Sequence, residues 1–188
     1  MKKQNKFLHR TTIAFIFLTT LLLVTACNSN SQTNQAKSSQ VDVHTAVAAN
    51  NVQALKQYIS SGANLNAKDP IGGSSPLITA CLFGNEQMAE MLIDAGADLN
   101  FKNNDGSTPL ITAAFFCHPD IVKMLLNKKA DKTIKNKYGQ TAYEAVAQKF
   151  ADVKNVYEIL GKMLAPAGLK LDYAYIAKTR PEIAVMLK

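Results

Sequence analysis

A six-residue phrase returns at a fixed interval. Ser75-Pro76-Leu77-Ile78-Thr79-Ala80 reappears 33 residues later as Thr108-Pro109-Leu110-Ile111-Thr112-Ala113. After another 33 residues comes Thr141-Ala142-Tyr143-Glu144-Ala145-Val146. Gly73, Gly106 and Gly139 keep the same interval, and so do the phrases Gly62-Ala63-Asn64-Leu65-Asn66, Gly96-Ala97-Asp98-Leu99-Asn100 and Lys129-Ala130-Asp131-Lys132-Thr133. Between these markers, Met88, Met91 and Leu92, then Ile121, Met124 and Leu125, fall at helical spacing. A period of this length means a stack of small units, each unable to bury its apolar face without its neighbours. With 7% aromatic residues and no Trp, a dense all-β core is disfavoured, and helix is the expected class.

These markers together resemble the ankyrin repeat. The resemblance covers Val41 to Leu164, with Asp69–Lys102 and Asn103–Lys135 matching well and Val41–Lys68 and Asn136–Leu164 matching in part. It implies an all-α solenoid of about four helix-pair repeats with short projecting β-turns or hairpins. The residues suit that geometry physically. Ser75 and Thr108 can cap a helix whose first position is Pro76 or Pro109, where a missing N–H costs nothing. Gly62 and Gly96 suit a left-handed helix end. Ile78 and Ile111 replace the family's usual His, Lys129 replaces a capping Gly, and Cys117 stands where Gly84 stands one repeat earlier. Residues 165–188, entered through Pro166 and Gly168, are expected to form a degenerate C-terminal helix pair that caps the stack, because Pro181-Glu182-Ile183 echoes Pro119-Asp120-Ile121.

The N-terminal forty residues have a different character. Lys2, Lys3, Lys6 and Arg10 precede an apolar run from Ile13 to Val24, too short to span a bilayer and suited to a signal peptide. Leu23-Val24-Thr25-Ala26-Cys27 resembles the lipobox of bacterial lipoproteins. That resemblance implies cleavage after residue 26, lipidation (palmitate among the acyl chains) at Cys27, and a place on the outer face of the cell membrane or in the periplasm. An uncleaved anchor helix is the competing reading, and both export the domain. Residues 28–40 are almost wholly Asn, Ser, Gln and Thr, a tether reaching on the order of 20 Å. The expected organisation is thus signal peptide 1–26, lipidated Cys27 and tether 27–40, repeat domain 41–164, and cap 165–188.

Charge excludes little but orders the classes. Without the four N-terminal cations the chain carries 17 basic and 14 acidic residues, +3, too mild for a nucleic-acid binder. From Val41 to Leu110 three Lys face seven Asp/Glu, giving −4; from Ile111 to Lys188 thirteen Lys/Arg face seven, giving +6. No phosphate loop, nucleophile elbow or His-Glu-x-x-His motif is present, so catalysis and cofactors are not expected. Cys117-His118 is the single adjacent pair with ligand chemistry and lacks a third ligand, so no metal is expected either. Cys81 and Cys117 are open to two readings, separate buried thiols or a disulfide.

The family resemblance implies a partner-binding groove lined by hairpin tips and by the ends of first helices. In this register the tips carry Ile71 and Gly72, Asn104 and Asp105, and Lys137 and Tyr138; the helix ends carry Leu82, Phe83, Phe115 and Phe116. The leading reading is an exported, membrane-anchored monomer that binds a partner protein as scaffold or regulator, with a stress-related role implied by analogy alone. An immunity-type inhibitor of an envelope-active toxin and an electrostatic binder of anionic envelope surfaces are the alternatives.

Overall fold

A computed structural model describes residues 42–188; the signal peptide, the lipidated Cys27 and the tether lie outside the described residues. Residues 41–188 form one compact unit. Helices α1 (Val43–Ala48), α3 (Pro76–Phe83), α5 (Pro109–Phe115) and α7 (Ala142–Ala147) are the inner row. Helices α2 (Val52–Ser60), α4 (Glu86–Asp94) and α6 (Pro119–Asn127) pack outside the first three. Two further helices follow, α8 (Phe150–Leu164) and α9 (Tyr173–Leu187), joined through a 3-10 turn at Ala165–Ala167. Among the described residues there is no strand.

The repeat is written into the backbone. Ser75, Thr108 and Thr141 each cap an inner helix by accepting from the amide three residues on. Pro76 and Pro109 take the first helical turn. Left-handed residues recur at the inner-to-outer turn as Asn50, Gly84 and Cys117, and after the outer helix as Gly62, Gly96 and Lys129. Cys117 (φ 63) and Lys129 (φ 68) therefore adopt the conformation that glycine holds elsewhere. Stack geometry dictates that conformation, and the replaced side chains bear its cost of about 1–2 kcal/mol.

Neighbouring units are stitched by side chains as well as by burial. Asn66 accepts from the Asp98 amide at 3.0 Å and Asn100 from the Asp131 amide at 2.9 Å, so each unit braces the next. The residue just before each outer helix reaches backwards. Asn85 donates to the Val47 carbonyl, and the His118 ring sits 3.4 Å from the Leu82 carbonyl. His44 plays a similar part, between Thr79 Oγ1 and the Ala67 carbonyl. Inner helices α3 and α5 are buried along residues 76–81 and 109–114, which leaves only their C-terminal ends partly open.

The C-terminal quarter departs from expectation. The fourth outer helix is α9, not α8: α9 packs on α7 and α6, as α6 packs on α5 and α4. Ile183 and Leu187 are buried as Ile121 and Leu125 are, matching the Pro181/Pro119 alignment. Residues 148–172, including all of α8, are an insertion within the fourth repeat. Residues 173–188 are one helix rather than a pair, with Pro181 in its interior. A proline there costs about 3 kcal/mol. One continuous buried face (Ile176, Thr179, Arg180, Ile183 and Leu187) outweighs that cost.

Candidate protein-binding surface

The turns that project from the inner helices are built on one plan. Asp69 closes the first by accepting from the amides of Ile71, Gly72 and Ser74. Burial alone would raise the Asp69 pKa, but these amides with the Ser74 hydroxyl outweigh it and hold the carboxyl below its usual range. Asn103 and Asn136 do the same work in the next two turns, each accepting from two amides. Turn joins turn through backbone bonds, Asn104 N–H to the Gly72 carbonyl at 2.9 Å and Lys137 N–H to the Asp105 carbonyl at 2.8 Å. The tips are thus a braced row whose backbone groups are used internally and whose side chains are free. Ile71 is 91% exposed and Tyr138 72%. Asn104, Asp105 and Lys137 are exposed between them.

The four apolar residues at the inner-helix ends do not form one open patch. Leu82, Phe83, Phe115 and Phe116 are all half-buried. Phe115 is covered by the insertion: its ring stacks on Tyr157 with centroids 4.7 Å apart, and its carbonyl accepts from the Tyr157 hydroxyl at 2.6 Å. Tyr157 itself is fully buried. Phe116 meets Phe115 edge-on at 5.1 Å. Phe83 and Phe116 line a recess of about 320 Å³ beneath the returning segment Gly168–Asp172 and the start of α9. The tips and the helix ends are therefore separate features, and only the tips are fully open.

Behind Phe115 lies a group that sequence reading passed over. Arg180 is 1% exposed and has no carboxylate partner; it donates to Tyr157 Oη at 2.5 Å and to the carbonyls of Ala145 and Gln148 at 3.0 and 3.3 Å. Those two carbonyls lie at the C-terminal end of α7, where the helix dipole and orphan oxygens favour a cation. Its Nε has no partner. Through Tyr157 the guanidinium reaches the Phe115 carbonyl, the position equivalent to the Leu82 carbonyl that His118 meets one repeat earlier. The available signal was compositional: Arg180 is the sole arginine after Arg10 in a lysine-rich chain. Arginine's fork of donors is suited to bridging several buried acceptors.

The remaining candidate groups have structural roles. Cys81 and Cys117 are free and buried, which settles the open disulfide reading in favour of separate thiols. Burial pushes the Cys117 thiol up to about 12, with Arg180 pulling weakly the other way, and burial likewise raises Cys81. Neither is a thiolate nucleophile at neutral pH. Burial lowers the pKa of His118, partly offset by the Leu82 carbonyl. Among the described residues no cluster of His, Cys, Asp and Glu could hold a metal ion.

Comparison with known proteins places this geometry. A family model described as ankyrin repeats matches residues 43–136 in three copies. Protein phosphatase 1 regulatory subunit 27 of Homo sapiens and that of Mus musculus are each 36% identical over 64 residues, covering 34% of this chain and 41% of theirs. The chain thus spans less than half the length of these relatives. The crystal structure of the ankyrin repeat domain of Bcl-3, described as a unique member of the IkappaB protein family, superposes with a TM-score of 0.53 at 28% identity. That likeness covers 55% of this chain and 45% of the other.

Proposed function

From the premise that this chain belongs to the ankyrin-repeat family, we propose that it is a non-catalytic protein that binds a partner protein through its row of turn tips. Extended surfaces assembled from successive units are what repeat stacks use for binding. The observation that carries the reading is the braced row from Ile71 to Tyr138, rigid in its backbone and open in its side chains. A rigid aromatic or branched apolar side chain already held in the open suits an interface anchor, because little ordering entropy is lost on docking. Phe115 is withdrawn from the expected surface, since the chain's own Tyr157 occupies its face.

The second part of the proposal is place. Residues 23–27 support export and lipid attachment at Cys27, with the tether holding the domain near a membrane. Photo-crosslinking in native cells tests the binding surface. A photoreactive residue at Ile71 or Tyr138 is expected to give a discrete adduct, and one at Lys123 on the outer helix row none. Equal adducts from both faces, or none from the tips, would refute it. Cys27→Ser is expected to move the protein from the membrane to the soluble fraction; unchanged partitioning would refute the anchor alone.

A further inference from the structure

The insertion helix α8 has two apolar faces, and the repeat stack uses one. Tyr157, Phe150, Val153 and Leu164 face inward, fully or half buried. Val156, Ile159 and Met163 are 41%, 57% and 67% exposed. Their spacing of three and four residues gathers them within roughly 60° of the helix circumference. Ala165, Pro166 and Ala167 extend the stripe at its C-terminal end and are also exposed. Exposed Lys149, Lys154, Lys162 and Lys170 flank it, against Asp152 and Glu158, of which Glu158 is paired with Lys154.

We propose that α8 lies along the surface of an anionic bilayer, with Val156, Ile159 and Met163 entering the headgroup boundary and the flanking lysines meeting lipid phosphates. An apolar stripe edged by lysines is the signature of a helix that rests in the interface, and each cation near an anionic surface adds to attraction. Length excludes spanning: α8 has 15 residues, and no described helix is long and apolar enough to cross a membrane. The thirteen residues between Cys27 and Val41 reach on the order of 20 Å, so an anchored domain stays close to lipid. The proposal rests on the anchoring reading only for that closeness.

The test uses residues 41–188, the compact unit that holds the whole described core, so that lipid attachment plays no part. Co-sedimentation is measured with vesicles of phosphatidylcholine containing phosphatidylglycerol, and with phosphatidylcholine alone. Binding is expected to the anionic vesicles and to weaken as salt rises. Ile159→Ser with Met163→Ser should weaken it by roughly ten- to a hundredfold, while Val185→Ser, on an exposed apolar residue of α9, leaves it unchanged. Asp152→Lys, on the stripe's own face, should tighten binding severalfold, a gain that misfolding cannot imitate. Three results overturn the proposal: no preference for anionic vesicles, indifference to the double serine variant while circular dichroism is native, or a dimer abolished by that variant. The last would make a second copy the occupant. Failure here leaves the tip crosslinks and the Cys27→Ser fractionation standing.

Discussion

Tyr157→Phe isolates the buried polar link without leaving a hole. The ring stays stacked on Phe115, and only the hydroxyl that joins Arg180 to the Phe115 carbonyl is lost. A neutral hydrogen bond is worth about 1 kcal/mol and a charge-assisted one about 1.5–3. The guanidinium would also lose one of its three acceptors while remaining 1% exposed. The expected cost is about 2–4 kcal/mol. Arg180→Met removes a buried charge together with its donors to Ala145 and Gln148, so desolvation relief offsets part of the loss; about 2–4 kcal/mol is again expected. The charge-assisted bond is counted in both variants, and the double variant should therefore cost about 1.5–3 kcal/mol less than the sum. Urea unfolding of the four proteins, followed by far-UV circular dichroism, reads these values from midpoints at constant slope. A coupling within about 0.5 kcal/mol of zero, or a neutral Tyr157→Phe, would refute the claim that Tyr157 relays Arg180 to the third inner helix.

Other variants probe the backbone and the pH response. Lys129→Gly, at φ 68 on an exposed helix end, should stabilise by about 0.5–1 kcal/mol, read as a higher urea midpoint. Gly84→Ala should destabilise by about 2 kcal/mol or more, because a Cβ on this left-handed residue would collide with the His118 ring; adding His118→Ala should recover part of the loss. His118 has a depressed folded pKa, so the unfolded chain binds the proton first. Stability is expected to be full above about pH 6.5 and to decline as pH falls through and below that value. A pH series of urea midpoints on the wild type and His118→Asn checks it, the variant showing a flatter profile between pH 7 and 5.

Much of the stack was legible because its requirements are local. A capping hydroxyl before Pro76 or Pro109, and a small or left-handed residue at each turn, can be read from neighbours in sequence. Cys117 and Lys129 broke the residue pattern but not the conformation, since packing on both sides fixes φ there. The fourth repeat was misread for a long-range reason. Val153, Tyr157, Leu160 and Leu164 have the spacing of an outer helix, and Ile176, Ile183 and Leu187 have it too. Periodicity cannot say which of two suitable helices takes one place; packing on α7 decides for α9. Phe115 and Phe116 were equivalent in sequence, and only a tyrosine 42 residues further on distinguishes them.

The fourth repeat is left open for 25 residues and then closed by α9, with the Lys132 ammonium donating to the carbonyls of Leu187 and Lys188. A growing chain must therefore hold the sides of α6 and α7 uncovered until Tyr173 to Leu187 has been made. Loss of this one helix to an early stop codon would strip the end of the array, not merely shorten it. Such a chain offers proteases and chaperones an unfinished surface for most of its synthesis, and its last turn to appear acts as the latch.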